Sequence, residues 1–195
     1  MNMMSTMLPI WLRIRRSAAE MLADRSGIAA TEFAIIVPIM LVMFFGTVEF
    51  SSGVAVDRKV TLMARTLSDL TSQSTTVTDT DLTNFFAASK GIMTPYSSTP
   101  TQSTITELYV DPTTLAARVQ WSQGTTPLTP GNAVTIPTAL KIGGTYLILS
   151  EVKYKYVPAV GYVMAPGGVN LSDLSYTRPR QSTCVMYKTT VCTTL

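Results

Sequence analysis

A chain of 195 residues with 15 Lys and Arg against 12 Asp and Glu carries a net charge of only +3, and 46% of its residues are hydrophobic. That charge is dispersed, with no basic cluster interleaved with aromatics, which argues against a nucleic-acid surface. No histidine occurs anywhere, so Ser-His-Asp and Cys-His catalysis are excluded and a zinc site of the ordinary kind is disfavoured.

The chain opens on a basic leader. Arg13, Arg15, Arg16 and Arg25 outnumber Glu20 and Asp24 ahead of a long apolar run. By the positive-inside rule this flank stays in the cytoplasm and everything after Phe50 is exported. Residues 7–16 combine an apolar side with three arginines, a pattern that suits a membrane surface; a leader that is discarded needs no such role. From Ile28 to Val48 come 21 residues with Glu32 as their only charge. As a helix of about 1.5 Å per residue, the run is roughly 31 Å long and matches a hydrocarbon core of about 30 Å. Pro38 removes one backbone hydrogen bond within it and is expected to kink it.

A carboxylate costs on the order of a few kcal/mol near a bilayer centre and less one turn from the edge, so Glu32 calls for a positive partner. Cutting the chain after Gly27 would create one. The free α-amino group of Ile28 would stand four residues from Glu32, at the start of the same helix. Attraction there is stronger than in water, and the carboxylate also lies near the positive end of the helix dipole. Between packed copies, the Glu32 of one and the amine of the next would set their stagger.

That is the logic of type IV pilins. The basic leader, Gly27, four residues, Glu32 and the apolar helix resemble a class III (prepilin) signal. The string RSGIAATEFAIIVPIMLVMFFGTVEF resembles the TadE-like family of minor pseudopilins from tight-adherence (Flp) pilus systems. It carries Gly27, Ala29, Ala30, Glu32, Phe33 and Ala34 at the start, Pro38 within the helix, and Phe45, Gly46, Glu49 and Phe50 at the close. TyrThrArgProArg at 176–180 is similar in style. The resemblance covers less than a quarter of the chain. It implies cleavage by a prepilin peptidase between Gly27 and Ile28, N-methylation of Ile28, and docking of neighbouring subunits through Glu32 and Phe33. It implies no catalytic residue, no cofactor and no metal. The implied partners are membrane lipid, the prepilin peptidase, other pilins or pseudopilins, and Tad inner-membrane assembly proteins. The implied location is the bacterial inner membrane, single-pass, with a cytoplasmic N-terminus and a periplasmic C-terminal domain, retained there or incorporated into the pilus.

Two other readings stand beside this one. A conventional secretory signal would use Ala34–Val48 as its core and Gly53-Val54-Ala55 as a weak cleavage site, leaving Glu32 without a purpose. A single-pass anchor could instead display a periplasmic binding module.

The expected organisation is a leader at 1–27, a transmembrane helix at 28–48, a periplasmic continuation of that helix at 49–76, and an α+β domain at 77–195. In the continuation, Val56, Val60, Met63, Leu67 and Leu70 fall at spacings of 4, 3, 4 and 3, one helical stripe that packs on the chain's own domain. Gly46, Ser51, Ser52 and Gly53 allow a bend or a close contact at the membrane exit.

A short helix follows at 81–92, capped by Asp79 or Thr80, with Leu82, Phe85, Phe86 and Ser89 on one face and Gly91 and Pro95 at its end. AspThrAsp at 79–81 reads as a cap rather than a metal pair. Strands at 104–110 and 115–121 flank AspProThrThr, a hairpin turn, with Leu115, Ala117, Val119 and Trp121 on one face. Residues 122–138 read as a surface loop. A strand at 145–157 alternates Val152, Tyr154 and Tyr156 against Glu151, Lys153 and Lys155, the mark of an antiparallel sheet with one solvated face. ProGlyGly at 166–168 marks another turn. The two cysteines, Cys184 and Cys192, suit one disulfide in an exported domain, and their segment is expected to supply the last strand. A long N-terminal membrane-spanning helix and a pilin-like domain with an antiparallel sheet make an α+β fold.

Overall fold

The computed structural model describes residues 17, 20, 26–158 and 167–192. The four leader arginines, the stretch 7–16 and Pro166 lie outside the described residues. The chain falls into two units, residues 1–47 and 48–195. One helix, α1 (Ser26–Ser72), supplies the described part of the first unit apart from residues 17 and 20, and opens the second.

Within the second unit α1 is one-sided. Val56, Val60, Met63 and Leu67 are buried and Leu70 is half-buried, because positions three and four apart share one face. The helix stops at Ser72 rather than continuing to residue 76. Thr71 and Ser72 turn their hydroxyls back onto the Leu67 and Asp69 carbonyls (2.9 and 2.8 Å), local bonds that weaken a helix end. A two-residue strand, β1 (Thr76–Val77), follows.

The second helix, α2 (Asp79–Lys90), begins two residues earlier than the sequence suggests. Its N-cap is Thr78, not Asp79 or Thr80. The Asp81 N–H donates to Thr78 Oγ1 (3.3 Å) and the Thr78 N–H donates to Asp81 Oδ2 (2.9 Å). This reciprocal capping box satisfies two otherwise orphaned donors. Leu82 and Ser89 are buried, with Phe85 and Phe86 half-buried beside them.

The sheet has five strands: β2 (Thr101–Val110), β3 (Ala117–Gly124), β4 (Ala133–Val134), β5 (Tyr146–Tyr156) and β6 (Val169–Thr177). Their order is β4-β3-β2-β5-β6, and every pairing is antiparallel. A final strand, β7 (Met186–Tyr187), does not join them. It pairs in parallel with β1 in a separate two-stranded sheet, so the cysteine-bearing segment lies across the domain instead of extending the main sheet.

Two details of β3 depart from the sequence pattern. Asp111 Oδ1 accepts N–H bonds from Thr113 and Thr114 at 2.7 Å, an Asx-type turn, and Leu115 takes a positive φ of 55°. Leu115 therefore belongs to the turn, and the strand starts at Ala117. A bulge then shifts the register: Leu108 pairs with Val119, while Glu107 pairs with Trp121. The extra residue, Gln120, sends Trp121 to the face opposite Ala117 and Val119, because side chains alternate with a period of two.

One sheet face packs Ile105, Trp121, Ile148, Val152 and Tyr154 against the α1 stripe. The other face is covered by the segment expected to be a surface loop. Ile136, with Val134 and Leu140, closes over Leu108, Val119, Leu147 and Leu149. In β5, Val152, Tyr154 and Tyr156 are buried and Lys153 and Lys155 exposed, as the alternation indicates. The fold is α+β: an apolar N-terminal helix followed by a domain built on an antiparallel five-stranded sheet.

Cys184 and Cys192 form a disulfide with Cα atoms 6.2 Å apart. Cys184 packs on the Tyr109–Tyr146 ring pair. In the chain-entropy view so short a ring stabilises by about 2–3 kcal/mol. Reduction, or Cys184→Ser with Cys192→Ser, is expected to lower the denaturant midpoint accordingly. A midpoint indifferent to reductant would contradict a structural role for the bond.

Candidate functional site

The apolar run occupies α1 from its first turn. An 18-residue window reaches a mean hydropathy of 2.3, and none of it is buried within the chain. Phe33 is 69% exposed and Met43 68%, with Ile35, Ile39 and Phe44 similar. A helix that is apolar on every side requires a covering of lipid or protein. By length and composition it is the one helix among the described residues able to cross a membrane.

Gly27 and Ile28 lie in the first turn of this helix, both exposed. Nothing stands within 4 Å of the place a Cβ on Gly27 would occupy. The Thr31 hydroxyl donates to the Ile28 carbonyl at 2.8 Å. Glu32 is exposed one turn beyond Ile28, and Phe33 beside it. Four residues of helix bring Glu32 onto the face of Ile28. The positions singled out in the sequence are thus adjacent, on the outside of an apolar helix.

A second polar site lies in the folded domain. Glu107, on the α1-facing side of β2, is 1% exposed. The Val185 N–H donates to its Oε1 at 2.6 Å, and the Trp121 indole N–H donates to the Val185 carbonyl at 2.7 Å. Both backbone groups of Val185 are therefore held by side chains from paired positions on β2 and β3. Burial pushes the Glu107 carboxyl up to about 7, against the N–H bond from Val185 and the Trp121 indole, which favour the charged form.

Around this clamp Tyr187 stacks on Trp121, with ring centroids 5.6 Å apart, and its hydroxyl bonds Asp79. The Lys188 ammonium lies 2.7 Å from Asp79 Oδ2, and chiefly through that contact the Asp79 carboxyl is held below its ordinary range. Sequence reasoning passed over Glu107. The signal was present, since Ile105, Glu107 and Tyr109 alternate onto one face, and that face is apolar on either side of the acid. Arg180 pairs with Asp69, and its backbone N–H donates to the Ser72 carbonyl at 2.8 Å. Asp79 and Asp81 act in the C-terminal contact and the cap respectively. Among the described residues no group of three Cys, Asp or Glu side chains could hold a metal.

Comparison with known proteins gives one match. The family model described as TadE-like protein matches residues 27–67. No curated protein matches the chain, and no solved structure does. The matched stretch opens at Gly27, takes in the whole apolar run, and ends on Leu67, the last fully buried member of the α1 stripe. Over residues 27–67 the chain is similar to the TadE-like family.

Proposed function

We propose that the protein is a minor pseudopilin, or a related assembly component, of a Tad (Flp-type) type IV pilus system, acting by subunit packing and not by catalysis. The observation that carries this reading is the family match across residues 27–67, on a helix that is apolar and exposed all round. In it, residues 1–27 are a cytoplasmic leader, 28–48 span the inner membrane, and the domain beyond is periplasmic. Prepilin peptidase cuts between Gly27 and Ile28, and the new amine of Ile28 meets the Glu32 of a neighbouring subunit. Phe33 and the apolar residues after it supply the contact with lipid or with other pilins and Tad inner-membrane assembly proteins.

The test is the mass of the mature chain purified from cells that contain the peptidase. An N-terminus at Ile28 is expected. A persistent leader under those conditions would count against the pilin reading and favour a permanently anchored binding module of the envelope.

A further inference from the structure

We infer that the folded domain carries a second membrane contact: an apolar groove beside the exit of α1, with the adjoining ends of β5 and β6, that rests in the outer interfacial layer of the bilayer. The groove has a volume of about 320 Å³ and is walled by Phe50 and Val54 of α1 and by Tyr156, Pro158, Val169 and Leu171 of the β5–β6 end. The Tyr156 ring packs on the helix at Gly53, where a Cβ would stand in ordinary van der Waals contact with it, 3.6 Å from Cε1. Two acids also line it, Glu49 buried and Asp57 exposed, two turns apart on the helix.

The position of the groove identifies its occupant. Phe50 and Val54 follow the end of the apolar run at Val48 by two and six residues, about 3 and 9 Å along a helix. The headgroup layer beyond the hydrocarbon core is about 5–8 Å thick on each side. A helix leaving the bilayer at Val48 therefore holds Phe50 within that layer and Val54 at its outer boundary, and whatever packs beside Phe50 is at that level as well. Phe50 is 61% exposed, Val157 61% and Val169 43%, an open apolar surface.

The neighbouring chemistry agrees. The link from β5 to β6, residues 157–168, contains no charged residue. Lys155 lies next to it on the exposed side of β5, and its Cε would be 3.4 Å from a Cβ on Gly168. A lysine beside an apolar patch suits the interface, its ammonium reaching toward phosphate. A phospholipid surface, and not a soluble ligand, fits a shallow apolar groove so placed.

The inference rests on reading 28–48 as the membrane span, and the experiment separates the two. The full chain is reconstituted in vesicles of phosphatidylcholine brominated on its acyl chains near the headgroup. One further tryptophan at a time is added to the native Trp11 and Trp121, as Val157→Trp, Val169→Trp, Phe45→Trp or Leu62→Trp, and the quenching of each variant is read as its excess over that of the unsubstituted chain. Phe45 lies in the run; Leu62 is exposed but 14 residues past Val48, roughly 21 Å along the helix. Quenching at positions 157, 169 and 45, and none at 62, is the expected result. Quenching at 45 alone overturns the second contact and leaves the span intact. A blue shift at 157 that grows with protein density, without bromine quenching, also overturns it and gives the groove to a second copy of this chain. No quenching at 45 removes the span and the inference together.

Discussion

Glu107→Gln is expected to stabilise the folded chain at pH 8 by up to about 3 kcal/mol and to change it little near pH 4.5. The carboxyl is raised from 4.5 to about 7 in the fold, and each unit is worth 1.36 kcal/mol. The sign follows from proton counting. An acid raised in the folded state keeps its proton there while the unfolded chain has lost it, so stability falls as pH rises from about 4.5 to about 7. Above that range the whole penalty of a buried carboxylate is present. Glutamine keeps an oxygen to accept the Val185 N–H and removes the charge.

With no histidine in the chain, no imidazole titrates in that window. Asp79, Asp81 and Asp111 are all lowered, so their contributions disappear only at more acid pH. Urea titrations of the full chain in detergent, at intervals from pH 4.5 to 8, measure the effect. A variant with the same pH slope as the parent would show that the clamp does not carry it. Glu107→Ala differs in kind, since it strands the buried Val185 N–H, a loss of about 1–3 kcal/mol.

Glu32→Ala is expected to abolish or severely reduce piliation while leaving membrane insertion and the mature Ile28 terminus unchanged. An amine and a carboxylate about 4 Å apart attract by about 4 kcal/mol at an effective dielectric constant of 20. Losing that from each subunit contact weakens association by roughly a thousandfold. Insertion depends on the apolar run, which the substitution makes more apolar. Electron microscopy of pili, with membrane fractionation and mass measurement on the same cells, reads all three quantities. Normal pili in this variant would falsify the docking role of Glu32 and leave the segment as an anchor.

The clamp and the N-terminal helix differ in how far residue patterns expose them. Everything in residues 27–67 is local: the run is a helix because it is long and apolar, and the stripe from Val56 to Leu67 repeats at helical spacing. Glu32 stands out because a lone charge in such a run is costly wherever the helix goes. The alternation in β5 was equally readable, since Val152, Tyr154 and Tyr156 must share a face once the strand forms.

Partnerships between distant segments were not available in that way. The bulge at Gln120 moves Trp121 across the sheet, and no periodicity in β3 announces it, because a bulge is a property of two strands in register. The loop at 122–138 looks polar and turn-rich, yet its Val134 and Ile136, with Leu140 just beyond, close over a sheet face, a role set by what the face needs. The pairing of the cysteine segment with β1 likewise depends on where α2 leaves that strand.

What the sequence determined by itself is the N-terminal helix, its apolar surface and the placing of Gly27, Ile28, Glu32 and Phe33 upon it, since helical periodicity and hydropathy act over a few residues. What only the tertiary structure decided is the core. Glu107 became a buried acid holding Val185, and Trp121 its neighbour, because burial and register arise only when segments far apart in the chain meet.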